Sequence, residues 1–297
     1  MKTPQLPAPA LAAALGFSQE LWLKREDLHH HGSHKGRSIP LMIDEAARFG
    51  TRNFAVSSSG NAALSAAITV ENHNKSKPAD PYRLDIWLSP RIEQKKITKL
   101  RGLVSNSQFI KLHESERPQQ DAFQFAKNDG VKLLRQSTDE TALRGYLDLA
   151  KELARIPGLA AVFIPASSGT TAEGLYLGWQ KTGVSPALHI VQTTFCHPLV
   201  DAISGTITPA GPERSLAGAI VDRVAHRRTT VALAVKTTGG AGWIVSNEEL
   251  TSLKQLVKQT LNLDLSPNGL LALAGFRQAL KKHRQFNGPV ACIITGE

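Results

Sequence analysis

Short apolar runs recur along this 297-residue chain, each set off by Gly, Pro, Ser or charge and followed by a longer stretch with helical spacing. Strands are expected at residues 21–23, 53–56, 84–88, 108–112, 131–134, 160–164, 189–193, 242–245 and 289–294. Helices are expected at 10–15, 39–49, 62–71, 91–101, 118–128, 141–155, 172–181, 229–238, 247–258 and 268–283. Ser246, with Glu249 three residues on, forms a capping box. Ser89-Pro90 and Ser266-Pro267 each put a capping residue ahead of a proline at the first helical position. Residues 72–82 and 204–222 are polar or rich in Gly and Pro and read as loops. Strands that alternate with helices, with no internal repeat, predict an α/β protein with mostly parallel sheets.

Composition narrows the class. The chain is 41% hydrophobic and 20% charged, enough for one large or two modest domains. No apolar run is long enough to cross a bilayer, so no membrane association is expected. Residues 8–15 are apolar but lead straight into a strand without a cleavage site, which argues against a signal peptide. Cys196 and Cys292 stand far apart in apolar surroundings, which suits buried thiols in a reducing cytoplasm. The net charge is +10. Its basic clusters, Lys95-Lys96, His226-Arg227-Arg228 and Lys281-Lys282-His283-Arg284, form no continuous arm, and aromatic residues are few. An anionic small molecule accounts for this balance at least as well as nucleic acid, so no nucleic-acid partner is expected.

Three stretches could carry chemistry. Lys35 stands at a strand-to-helix junction between Gly32 and Gly36, well placed to be an amine on a fixed backbone, although surface lysines are common. Ser167, Ser168, Gly169, Thr170 and Thr171 follow an apolar strand and open a helix. They supply hydroxyls, successive N–H groups and a helix N-terminus, the parts that hold a phosphate dianion. The same residues would also serve as plain caps. No Gly-Lys-Ser/Thr follows, so this is not a nucleotide P-loop, and a single glycine is too few for a dinucleotide fingerprint. The loop from Ser57 to Asn61 offers hydroxyls, N–H groups and one amide, better suited to a carboxylate and a phenolic oxygen.

Taken together, these stretches resemble one family. LWLKREDLHHHGSHKGR, residues 21–37, resembles the KxExxNxTGSFKxR segment of the fold type II pyridoxal-phosphate (PLP) enzymes, without a gap. Thr3-Pro4-x-Leu6 is similar to the family's opening Thr-Pro-Leu, and SSGNA at 58–62 to its substrate-carboxylate loop. SSGTTAEG at 167–174 is similar to the phosphate loop, DLSPNGLLALAGF at 264–276 to a late helix, and ITGE at 294–297 to the segment that meets the pyridine nitrogen. The pieces occur in family order along the whole chain. The resemblance implies two three-layer α/β domains with PLP in the cleft between them. It assigns 1–37 plus 149–297 to the larger, PLP-binding domain and 38–148 to a smaller, mobile one.

The resemblance also implies roles. Lys35 forms the Schiff base and acts as the base at Cα. Asn61 meets the cofactor's phenolic oxygen, Ser167–Thr171 hold its phosphate, and Thr295 faces its ring nitrogen. Ser58, Ser59, Gly60 and Ala62 hold the substrate carboxylate. A hydroxyl at the ring nitrogen favours elimination or replacement over racemisation. The expected activity is that of an amino-acid lyase similar to threonine synthase, with O-phosphohomoserine as substrate and Arg37 or His34 as conjectured phosphate contacts. Threonine/serine ammonia-lyase and cysteine-synthase-type replacement are the alternatives, and a weakly active PLP-binding protein is the alternative class. A homodimer is expected from the family. Several residues depart from its pattern: His34 replaces Phe, Gly36 replaces Asp, and Ala62 lacks a polar group. His29, His30, His31 and His34 read as a polar mouth beside the cofactor, with no metal.

Overall fold

The computed structural model describes residues 2–58, 60–90 and 94–296; the side chains of residues 94–96 are not described. The chain divides into two compact units, residues 1–29 with 146–297, and residues 30–145. In chain order the larger unit begins with β1 (Gln5–Pro7), α1 (Pro9–Ala14) and β2 (Leu21–Arg25). The smaller unit follows with α2 (Ile39–Arg48), β3 (Asn53–Ser57), α3 (Asn61–Ser76), β4 (Arg83–Leu88), α4 (Gln94–Val104), β5 (Ile110–Glu114), α5 (Pro118–Phe125), β6 (Val131–Leu133) and α6 (Thr141–Arg144). The chain then returns with α7 (Leu147–Leu153), β7 (Ala161–Pro165), α8 (Thr170–Thr182), β8 (Ala187–Thr193), α9 (Pro198–Ser204), α10 (Arg228–Thr237), β9 (Ala241–Val245), α11 (Asn247–Leu261), α12 (Pro267–Lys281) and β10 (Val290–Ile294).

The larger unit is built on a six-stranded sheet in the order β1-β2-β10-β7-β8-β9, antiparallel only at β1. Its inner strands read as apolar runs because both faces are covered. Phe163 and Cys292 point to the layer of α1, α11 and α12, while Val162 and Ile164 point to α7, α8 and α10. The smaller unit has a four-stranded parallel sheet, β5-β4-β3-β6. Phe54, Val56 and Ile86 pack beneath α2, α3 and α4, and Ala55 and Trp87 beneath α5. Both units are three-layer α/β structures, the fold class expected from the alternation of strands and helices.

Differences from the expected elements have local causes. The helix expected over 141–155 breaks at Gly145, where a Cβ would lie 2.2 Å from the Arg37 carbonyl oxygen. Residues 72–76, expected in a loop, continue α3, because the Asn74 amide pairs with both backbone groups of Tyr82. Helix α9 lies where no helix was expected; the Gln192 side chain accepts from the backbone N–H groups of Leu199 and Val200 and fixes its first turn. Strand β5 lies two residues beyond the expected 108–112. The start of the helix expected at 91–101 falls on residues 91–93, outside the described ones. No helix among the described residues is long and apolar enough to cross a membrane.

Candidate active site

In the larger unit, β7 ends at Pro165 and the chain turns through Ser167-Ser168-Gly169 into α8. The first N–H groups of a helix have no partner within it, and the helix dipole makes that end attractive to anions. Gly169 adopts φ 88°, and a Cβ there would stand 2.8 Å from Val231 Cγ2. The backbone must therefore be bare at this point. Ser168 Oγ and Thr170 Oγ1 are 2.9 Å apart. Ser167 Oγ accepts from the N–H groups of Val221 and Asp222 at 3.1 and 3.0 Å, which leaves its own proton free to be donated.

Neighbouring elements hold the turn in place. The Gln192 amide donates to the Ala166 carbonyl at 2.8 Å. Asn268 at the start of α12 accepts from Ala219 N–H and fixes the segment that meets Ser167. Glu173 in the first turn of α8 is acidic, which alone would oppose an anion. Its carboxylate is paired with Arg227 at 2.9 Å, both side chains being largely buried. The sequence offered Arg227 only as one member of a basic cluster; its pairing across 54 positions had no local signal. Thr295 follows β10 and is buried, and the next peptide is held by Ser266 Oγ, which donates to the Gly296 carbonyl at 2.8 Å.

In the smaller unit, Lys35 sits on a short 3-10 turn, His34–Arg37, capped by Ser33, whose Oγ accepts from the Lys35 N–H at 3.3 Å. Gly32, at φ 72°, lets the chain turn sharply just before the cap. After the turn, Ser38 Oγ is bonded by the Gln136 amide. Asn61 opens α3, and Ser58 Oγ accepts from Gly60 N–H at 3.3 Å, so the SSGNA loop is folded on itself ahead of the helix. Gly60 and Ala62 are half-buried. Ser59 lies outside the described residues.

The histidines do not form one polar mouth. His30 is exposed, whereas His29 and His31 are buried. His31 Nδ1 lies 2.8 Å from Ser65 Oγ, one turn along α3 from Asn61, and so ties the lysine turn to that helix. Burial, and then the neighbouring His30, pushes the His31 imidazole down to about 4, so it is neutral at ordinary pH. Among the described residues no three potential ligands are grouped to hold a metal.

In the larger unit the hydroxyl-lined helix N-terminus at the end of a strand suits a phosphate group, and in the smaller unit the lysine on its capped turn suits a carbonyl group. Residues 1–296 match the family of pyridoxal-phosphate dependent enzymes, and the chain belongs to that family. Its cofactor is pyridoxal 5'-phosphate. The chemistry of the residues present fits it: a bare turn at Gly169 and a Ser167 hydroxyl with its proton available would suit a phosphate, and Lys35 is an amine that would suit an aldehyde. Threonine synthase from Methanosarcina acetivorans is 22% identical over 99% of this chain and 74% of its own length. The solved structure of the processed form of threonine deaminase isoform 2 from Solanum lycopersicum covers all of the chain and 79% of its own, with TM-score 0.81 and 19% identity. Maize serine racemase covers all of the chain and 88% of its own, with TM-score 0.79 and 16% identity. At such identities the two structures establish the fold alone.

Proposed function

We propose that the chain is a PLP-dependent lyase that acts on an amino acid by β- or β,γ-elimination or replacement, as threonine synthase does on O-phosphohomoserine. When bound, the cofactor supplies the electron sink for negative charge at the substrate Cα. In this reading Lys35 anchors the cofactor and moves the Cα proton. Ser167, Ser168, Gly169, Thr170 and Thr171 bind its phosphate, and Asn61 binds its phenolic oxygen. Ser58, Ser59, Gly60 and Ala62 orient the substrate carboxylate.

The observation that carries the reading is the buried Thr295 at the end of β10. Facing the ring nitrogen, its hydroxyl would not stabilise positive charge there as a carboxylate does. Charge at Cα would then be less stabilised, which would favour elimination or replacement over racemisation. The similarity to threonine synthase along nearly the whole chain supports the substrate class. One observation favours ammonia loss from threonine or serine instead: Arg37, which with His34 would be a contact for a second phosphate, is buried. The smaller unit is proposed as the mobile domain, and the chain as a cytoplasmic homodimer, with Leu216, Val221 and Val224 exposed on the larger unit. Sedimentation of the pure protein checks the dimer, and a monomer at all concentrations refutes it.

The test is the absorption spectrum of the purified, PLP-supplied protein and of Lys35→Ala, with O-phosphohomoserine, threonine or serine added. A visible band in the wild type, absent or displaced in the variant, is expected. Release of phosphate with O-phosphohomoserine supports the threonine synthase reading, and ammonia from threonine or serine supports the second. Racemised product without either release would refute the lyase assignment.

A further inference from the structure

The cluster Lys281-Lys282-His283-Arg284 has no part in the proposed activity. In the larger unit it borders a cleft of about 460 Å³, within the range of small-molecule sites. The floor is apolar and aromatic. Phe17 and Phe286 line it, edge-on to each other with ring centroids 6.2 Å apart, and Leu256 and Leu280 complete it; Phe276 lies buried behind Phe17 at 5.0 Å. The rim is cationic, with Arg277, Lys281, His283 and Arg284, and none of the lining residues is acidic.

Two of these cations are held by neutral groups. The Arg277 guanidinium donates to the Glu249 carbonyl at 2.9 Å and to Ser252 Oγ at 3.2 Å, and that of Arg284 to the Gly239 carbonyl. The Glu249 carboxylate is itself turned to Ser246 N–H and the Gln278 amide. The guanidiniums are thus oriented while no carboxylate bonded to them offsets their charge. The ordinary explanation for cations here is the C-terminal end of α12. That end is already closed by backbone bonds, from His283 N–H to the Leu280 carbonyl and from Arg284 N–H to the Ala279 carbonyl, so its last carbonyls do not require the side chains.

In that closure His283 occupies the left-handed position, at φ 57°. Glycine is the residue that fits there without strain, and a residue with a Cβ is disfavoured. The sequence therefore carries a costlier residue at a position that lines the cleft. We propose that this cleft binds a small organic anion with a carboxylate or phosphate head on an apolar body. The site differs from the one that holds the cofactor. Its lining segments lead into the starts of β2 and β10, whereas Thr295 follows the end of β10 and Ser167 the end of β7. A five-residue strand separates the two ends of the sheet by about 16 Å.

The test is calorimetric titration of the PLP-loaded protein, so that the phosphate loop is occupied, with phenyl phosphate and 3-phenylpropionate. Inorganic phosphate supplies the head alone and benzyl alcohol the body alone. Both amphipathic anions are expected to bind saturably, about tenfold tighter than either fragment. Lys281→Gln should weaken binding roughly threefold to tenfold. His283→Gly should raise the melting temperature by about a few degrees and weaken binding at the same time, a pair of effects that a purely structural histidine would not produce. Absence of saturable heat, wild-type affinity in both variants, or displacement of the cofactor by the probes would overturn the proposal.

Discussion

The buried ion pair at the end of β2 gives the most demanding test of the larger unit. Lys24 and Glu152 are 1% and 7% exposed and are bonded Nζ to Oε2. The ammonium also donates to the Thr3 carbonyl at 2.8 Å, and Thr3 Oγ1 donates to the buried Glu26. Glu152→Gln keeps the size and one acceptor oxygen but removes the carboxylate charge bonded to the ammonium. Breaking a buried pair from one side costs about 3–5 kcal/mol, and the retained oxygen places this variant near the lower end. In a unit of this size 1 kcal/mol moves the melting temperature about 2–4 °C, so a loss of about 6–12 °C is expected. Trp22, Trp179 and Trp243 lie in the larger unit and Trp87 in the smaller, so calorimetry read alongside tryptophan fluorescence follows the transition. The double variant Lys24→Met with Glu152→Leu removes both charges and should return to within about 1 kcal/mol of the wild type. A loss below about 2 °C in Glu152→Gln, or a double variant no more stable than the single one, would refute the view that the broken ion pair is the source of the cost.

Gly169→Ala, with its φ of 88° and Val231 Cγ2 2.8 Å away, should lower PLP affinity by about tenfold or more, read by fluorescence titration; unchanged affinity would remove the turn from the phosphate site. Arg227→Met leaves Glu173 unpaired in the first turn of α8 and should weaken PLP by at least about tenfold, with Glu173→Gln in the same chain restoring part of the loss. His189 is buried against Phe163 and accepts from Trp243 Nε1, and burial followed by the charge of Arg284 lowers its pKa to about 3. The unfolded chain therefore binds the extra proton between about pH 6.5 and 3, so this contribution to stability is present above that window and is lost as pH falls, at up to about 1.4 kcal/mol per unit. His189→Gln should flatten the fall in unfolding midpoint between about pH 6 and 4, and an identical slope would contradict the assignment. Burial raises the thiol pKa of both Cys196 and Cys292, so a disulfide reagent should label neither in the native protein at neutral pH, whereas rapid labelling of Cys292 would contradict its burial.

The fold was legible where local pattern and global packing agree. Val162 and Phe163 lie on opposite faces of a doubly covered sheet, and the apolar run that encodes β7 needs no distant partner to be recognised. The box of Ser246 and Glu249 closes in the structure as its spacing predicts. Reading failed where a long-range contact sets the local geometry. The last turn of α3 depends on Tyr82, where Asn74 is bonded and His73 is stacked, although its own residues are polar. The break at Gly145 depends on the Arg37 carbonyl, more than a hundred residues away in sequence.

The same division runs through the candidate site. Residues that would touch the cofactor sit in short segments where a turn, a cap and a helix start are contiguous, so Lys35, Asn61 and Ser167–Thr171 could be named from the resemblance of those segments to the family's. Residues that hold those segments in place carry no such signal, because each reaches them from another element. Gln192 comes from β8, Arg227 from the start of α10 and Asn268 from α12. His31 shows how far local reading can mislead. In a run of histidines it reads as solvent-facing, yet one hydrogen bond to Ser65 and near-complete burial make it part of the wall that carries the lysine turn. It stands where the family segment has Thr. Its ring gives the turn a partner on α3, the helix that begins at Asn61, and through that bond the two stretches proposed to act on the cofactor share one rigid support within the smaller unit.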